Sequence, residues 1–203
     1  MTRPRIAALR EDEVARLKNL GTRRKFRWEA PRLARGLVVG RRATTREWLR
    51  ADRGARVISD RAEIHFGRFV LLGKHSCITV YGDNPPAVLT IGERSSIGAR
   101  TVVNVGLEMR IGSFCNIAPD CNLSDGDFHD ILDEQGQPVG PRNKPVIIGD
   151  HVWIAVGVIV LKGVTIGSGS VIGAGSVVTR DVPPGSLAVG NPARVIRAVA
   201  GWV

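Results

Sequence analysis

The sequence predicts an all-β solenoid: a triangular prism wound from short parallel strands, with a basic, partly helical N-terminal extension and one long protruding loop. Three observations predict it. Aliphatic residues recur every six positions, aromatic residues are few (four Trp, one Tyr, five Phe in 203), and glycine is abundant at 24. From Ile148 the period is unbroken through Ile154, Val160, Ile166, Ile172 and Val178, with Val152, Val158, Val164, Ser170, Ser176 and Val182 four residues after each. The same template fits Phe66, Leu72 and Ile78, then Ile91, Ile97 and Val103, then Ile111, Ile117 and Leu123. A period of six is neither the helical 3.6 nor plain alternation. Segments this short satisfy their backbone groups by stacking on the copy in the next coil, and three of them make an 18-residue coil. Aliphatic side chains at the first position fill the prism, small ones at the fifth fit its corners, and Gly149, Gly157, Gly167 and Gly173 mark bends. Cys115 and Cys121 stand at fifth positions, as packing residues with free thiols.

Taken in order, residues 1–56 form the extension. They hold 17 Lys and Arg against 6 Asp and Glu, net +11, so the chain's formal charge of +10 lies wholly in this quarter. Pro4 to Leu20 predicts a helix ended by Gly21, and Thr44 with Glu47 forms a capping box before a short helix ended by Gly54. The segment between them mixes Arg with Phe, Trp, Leu and Val. It either caps the first coil or makes peripheral contact with an anionic membrane or acceptor. Nucleic acid is not expected, because no recognised motif accompanies the charge.

Residues 57–183 form the prism and 184–203 a tail after Pro183 and Pro184. The odd count of three cysteines lacks a zinc-ribbon or CxxC spacing, which excludes a disulfide framework and a structural zinc site. The longest near-apolar run, Val152 to Leu161, is far short of the roughly 20 residues a membrane-spanning helix needs, and the first thirty residues contain no secretory leader. A cytoplasmic protein is expected.

Chemistry is expected where the period fails. The step from Ile78 to Ile91 is 13, from Val103 to Ile111 it is 8, and from Leu123 to Ile148 it is 25. The last opens a polar loop, 124–147, which contains His129 with Asp125, Asp127 and Asp130 around it. His65, His75 and His151 lie elsewhere, at separations too wide for a shared metal, and no metal is expected.

The string GDHVWIAVGVIVLKGVTIGSGSVIGAGSVVTRDVPPGSLAVGNPARVI resembles the hexapeptide-repeat acyltransferases, and the resemblance covers about residues 57–197. It implies a left-handed parallel β-helix, assembled as a homotrimer, with acetyl-CoA in a groove between prisms. The loop resembles the one that carries the catalytic histidine of sugar O-acetyltransferases, sixteen residues before the proline that opens the next coil, here Pro145. His129 matches that spacing. Transfer from a thioester to a hydroxyl needs a base for the acceptor's proton, and a histidine side chain suits that at neutral pH; the competing role for His129 is a solvated loop residue.

Asp127 is a candidate to hold the other ring nitrogen. Asn104, one coil before the root of the loop, aligns with a family position that contacts the acceptor, or is simply a corner residue. The resemblance further implies that Ala118, Val156 and Ala174 line the pantetheine arm, with Thr179 and Arg180 further along and Arg194 and Arg197 near phosphates. Ala118 and Ala174 also fit plain prism packing. Ala155 departs from the family's glycine at the groove wall, and Trp153 should point outward beside it. The expected function is an acetyl-CoA-dependent O-acetyltransferase acting on a sugar hydroxyl of a polysaccharide, glycolipid or glycosylated small molecule. The alternatives are N-acetylation of an amino-sugar nucleotide, or a non-catalytic β-helical binding or scaffold protein.

Overall fold

The computed structural model describes residues 23–40, 43–46 and 48–203. The expected helix Pro4 to Leu20 lies outside them. From Thr45 to Val178 the chain winds six coils, each placing one parallel strand on each of three faces. Face A stacks β1 (Thr45–Arg46), β4 (Ala62–Phe66), β7 (Ala87–Ile91), β10 (Glu108–Ile111), β13 (Val146–Ile148) and β16 (Thr165–Ile166). Face B stacks β2 (Arg50–Ala51), β5 (Leu71–Leu72), β8 (Ser96–Ile97), β11 (Asn116–Ile117), β14 (Trp153–Ile154) and β17 (Val171–Ile172). Face C stacks β3 (Arg56–Asp60), β6 (Cys77–Tyr81), β9 (Val102–Val105), β12 (Asn122–Ser124), β15 (Ile159–Val160) and β18 (Val177–Val178).

The first hexad positions fill the prism: Phe66, Ile91, Ile111, Ile148 and Ile166 stack on face A, and every fifth position from Val70 to Val182 is buried. Two buried hydroxyls at the fifth position are bonded across coils. Ser95 Oγ donates to Gly112 O at 2.7 Å, and Thr101 Oγ1 to Ala118 O at 2.8 Å. Cys115 and Cys121 pack in the same way, their thiols directed at Gly149 O and Ala155 O, and burial pushes both thiols up in pKa.

The bends sit at the fourth position rather than wherever glycine stands. That left-handed position is held by Trp48 and Gly54 in the first coil, by Phe69, His75, Arg94, Arg100, Phe114, Asp120 and His151 in the coils that follow, and from Gly157 onward by Gly157, Gly163, Gly169 and Gly175. Gly167, expected at a bend, has another reason to lack a side chain: a Cβ there would stand 2.3 Å from Pro184 N.

The N-terminal boundary moves. In place of a capped short helix, this stretch enters β1 (Thr45–Arg46) and β2 (Arg50–Ala51), so the prism begins at Thr45, two faces of the first coil before residue 57. The Thr44 hydroxyl, read as a helix cap, accepts Ile64 N at 3.1 Å, while Thr44 N donates to Ile64 O at 2.7 Å. Parallel pairing with β4 outcompetes a local helix of one or two turns. The helix lies before it: α1 (Arg23–Val39) carries much of the basic charge and closes the first coil. Arg32 Nε bonds Asp52 Oδ1 at 2.7 Å and Arg35 Nε bonds Ala51 O at 3.0 Å.

At the other end the tail continues the prism. β19 (Ser186–Gly190) pairs parallel with β17, and β20 (Ala193–Ala198) folds back antiparallel on it. Trp202 then stacks on His151 with centroids 4.8 Å apart. Among the described residues no helix is long and apolar enough to cross a membrane.

Candidate active site

All three breaks in the period fall on one corner, where face C turns into face A. The turn 82–86 leaves β6 there, the turn 106–107 leaves β9, and the arm 125–145 leaves β12. The corner is widened, and extra inward residues Ile64, Val80, Leu89, Val105 and Met109 fill it.

The arm is an irregular hairpin. Asp127 N bonds Arg142 O at 3.2 Å, Val139 N bonds Ile131 O at 2.6 Å, and Asp133 Oδ1 closes the tip by accepting Gln135 N and Gln137 N. Its root is Asp125, 1% exposed. Asp125 Oδ1 accepts Gly106 N at 2.7 Å, and Oδ2 accepts Leu107 N at 2.8 Å and Glu108 N at 2.7 Å. Its backbone joins both limbs, with Lys144 N bonded to Asp125 O at 2.8 Å. Burial pushes the Asp125 carboxyl up in pKa, and the three amides pull it partly back.

Two ion pairs fix the arm further out. Lys162 Nζ binds the Asp127 carboxylate and also donates to Pro141 O at 2.8 Å. Arg142 grips Asp130 through two bonds, at 3.0 and 2.6 Å, and holds that carboxyl below its usual range. His129 stands exposed between Asp127 and Asp130.

The structure pairs Asp127 with Lys162, a charge-assisted bond from the next coil. Asn104 lies where the coil arithmetic puts it: its β9 position pairs with Ser124 in β12, and its carbonyl accepts Asp125 N at 3.3 Å. The roles of Asp125, Lys162 and Arg142 were not legible in the sequence. Lys162 is 35 residues from its partner, and only the stacking of coil 5 on coil 4 brings them together.

Ala118, Val156 and Ala174 occupy the B-to-C corner in coils 4, 5 and 6, joined by Ala118 N to Ile154 O at 2.8 Å and Gly175 N to Val156 O at 2.9 Å. Thr179 and Arg180 follow β18 on the C-to-A corner, the side that carries the arm. Arg194 and Arg197 lie exposed on β20 opposite Val189 and Leu187. Ala155 is accommodated, its carbonyl meeting Cys121 Sγ at 3.1 Å. Trp153 points outward, its ring 6.2 Å from that of Trp202. Within one chain, face C separates the His129 arm from the small-residue wall. Among the described residues no three metal-ligating side chains converge; His65 is engaged with Thr45 at 3.0 Å and His151 with Trp202 O at 2.9 Å.

Residues 145–180 match the family model for the bacterial transferase hexapeptide (six repeats). The chain is 43% identical over 122 residues to the polysialic acid O-acetyltransferase of Escherichia coli O1:K1 / APEC, covering 57% of this chain and 40% of that one. It is 45% identical over 117 residues to nodulation protein L of Rhizobium meliloti (strain 1021), covering 55% and 63%. The chain thus spans less than two thirds of the length of these curated relatives. The crystal structure of the polySia-specific acetyltransferase NeuO superposes with a TM-score of 0.67 at 32% identity, over 76% of this chain and 70% of that one. Coil by coil, and at that identity over more than two thirds of a solved relative, the chain belongs to the hexapeptide-repeat acyltransferase family.

Proposed function

We propose that this chain transfers an acetyl group from acetyl-CoA to a sugar hydroxyl, with His129 as general base, and that the site is completed between the prisms of a homotrimer. The observation that carries this is the His129 arm. It is the largest departure from the repeat, it is fixed at its root by a buried carboxylate and along its length by two ion pairs, and its histidine is left exposed to meet a substrate. The names of the relatives support the reaction type, since two of them are acetyltransferases of a carbohydrate polymer.

The geometry of face C supports the trimer. The arm stands on one edge of face C and Ala118, Val156 and Ala174 on the other, so three prisms turning that face inward would bring the arm of one against the small-residue wall of the next. Exposed Ile159 and Leu161 on that side favour burial between copies. In that groove Thr179 and Arg180 would lie further along the donor, and Arg194 and Arg197 would meet its phosphates. Asn104, beneath the root of the arm, would contact the acceptor. His129 takes the acceptor's proton as its oxygen attacks the thioester carbonyl, groove amides stabilise the oxyanion, and the CoA thiol leaves. The donor is already activated, so no acyl-enzyme is required.

Three unpaired cysteines and a CoA donor fit a reducing compartment, hence the cytoplasm. The basic α1, with Leu37 63% and Val38 66% exposed, is suited to peripheral contact with an anionic membrane. The test is release of CoA thiol with a panel of sugars and amino sugars. His129→Ala should lower kcat by about 10²–10⁴, and the mass in solution should be three times 21.9 kDa. Full activity in His129→Ala, or a monomeric mass with full activity, would overturn the mechanism; acetylation confined to amino groups would move the reading to N-transfer.

A further inference from the structure

Below the arm, the same C-to-A corner carries a cavity of about 410 Å³, broadly open to solvent and lined by Arg61, Ala62, Glu63, Asp83, Asn84 and Pro86. Its outer wall, the turn 82–86, is tied to the coil beneath by Gly82 N to Asp60 O at 3.2 Å and Ala87 N to Arg61 O at 3.1 Å. Two strand spacings, about 10 Å, separate this turn from the root of the arm. The gap is bridged by the intervening turn, where Gly106 lies so close to Asn143 of the arm that a Cβ would stand 2.7 Å from its amide nitrogen. Asp83 also acts electrostatically on Arg142, the residue that grips Asp130 beside His129. Cavity and arm root therefore lie on one corner, two coils apart.

The lining has a definite chemistry. Glu63, Asp83 and the Asn84 carbonyl accept hydrogen bonds from hydroxyls, Arg61 and the Asn84 amide donate to oxygen, and Ala62 and Pro86 offer apolar surface. The lining itself sets two carboxylates against one guanidinium, with Arg142 above as a further cation facing Asp83, so no cationic excess draws an anionic sugar into the cavity, which is open to a neutral, hydroxyl-rich one. We propose that this cavity is an acceptor subsite holding a neutral glycosyl unit further along the same glycan from the sugar acetylated at His129. This rests on the reading that the chain acetylates a carbohydrate.

The experiment compares acetyl transfer to glucose-, galactose- and mannose-configured monosaccharides with transfer to their trisaccharides, and to trisialic acid. At least one neutral trisaccharide should show a KM about fivefold or more below that of its monosaccharide, and trisialic acid should show no such advantage. Asp83→Ala and Glu63→Ala should each shrink the trisaccharide advantage to less than about twofold. The proposal is overturned if no neutral trisaccharide outperforms its monosaccharide, if the advantage survives both substitutions, or if trisialic acid is preferred. Failure of the parent reading looks different: no sugar of any length is acetylated. In that case saturation-transfer NMR of the neutral trisaccharides with the wild-type chain reads the cavity directly. Saturation transfer that is present in the wild type and disappears in Asp83→Ala supports the subsite, and its absence from the wild type overturns it.

Discussion

Lys162, on a corner of the fifth coil, holds Asp127, two residues before His129, and caps two carbonyls of the arm's returning limb, Pro141 O at 2.8 Å and Arg142 O at 3.3 Å. With side chains 21% and 33% exposed, the pair is better shielded than an ordinary surface ion pair. Lys162→Met keeps the aliphatic stem and removes the charge. If this tie sets the reach of His129, kcat falls about tenfold or more, because small misplacements of a catalytic group are costly. The KM for acetyl-CoA and the melting temperature should barely move. Wild-type kcat in that variant would show that the arm keeps its position without the tie.

Asp125 is a different kind of support. Removing its side chain leaves three amides, those of Gly106, Leu107 and Glu108, without their acceptor. Some of these amides can turn to water, so Asp125→Ala should cost about 3 kcal/mol and lower the melting temperature by roughly 6–12 °C for a chain of this size. Asp125→Asn, which retains one acceptor oxygen, should cost less. Calorimetry decides, and equal melting temperatures for wild type and Asp125→Ala would remove Asp125 as the root of the arm.

The two arm carboxylates respond to pH with opposite sign. Arg142 depresses Asp130, so that pair contributes stability above the unfolded carboxyl pKa of about 3.9 and loses it only as pH falls through the lower folded value. Burial raises Asp125, so its ionised form is the disfavoured one, and its contribution declines as pH rises through the raised folded value. The Asp130 tether is therefore intact from pH 7 to 5. The pH dependence of kcat/KM in that window is therefore not set by the Asp130 tether, and Arg142→Met should leave the midpoint of any such limb in place. A midpoint displaced by about one pH unit would tie the limb to the arm instead.

The repeat was legible because each coil spends its first and fifth hexad positions on the core, so Ile148 to Val182 announces the prism without tertiary information. The first coil was illegible for the same reason. Its inward residues are Leu49, Ala51, Ala55 and Val57, too mixed in size to display the period, and Thr44 with Glu47 imitates a helix start. The protruding arm was legible from the step of 25 between Leu123 and Ile148, and the stacking of Asn104 under Ser124 from the coil arithmetic. The partners of the arm were not, since Lys162 to Asp127 and Asp83 to Arg142 join residues whose nearness exists only after the coils stack. Asp127 is paired with Lys162, and local sequence shows which acids flank a histidine but not which cation arrives from the next coil.

Glycine has two separate uses in the late coils, and substitution distinguishes them. Gly169 adopts φ +71° with open space where a Cβ would stand, so Gly169→Ala meets only the left-handed backbone cost of about 1–2 kcal/mol. Gly167 has no such torsion, but a methyl there would lie 2.3 Å from Pro184 N and 2.5 Å from Pro184 Cδ, the point where the chain leaves the sixth coil for β19. Relief requires moving backbone, and β19 carries β20 with Arg194 and Arg197. Gly167→Ala should therefore destabilise more than Gly169→Ala and, unlike it, raise the KM for acetyl-CoA. Equal melting temperatures for the two variants, with unchanged KM in both, would mean that the close approach at Pro184 is not what keeps residue 167 a glycine.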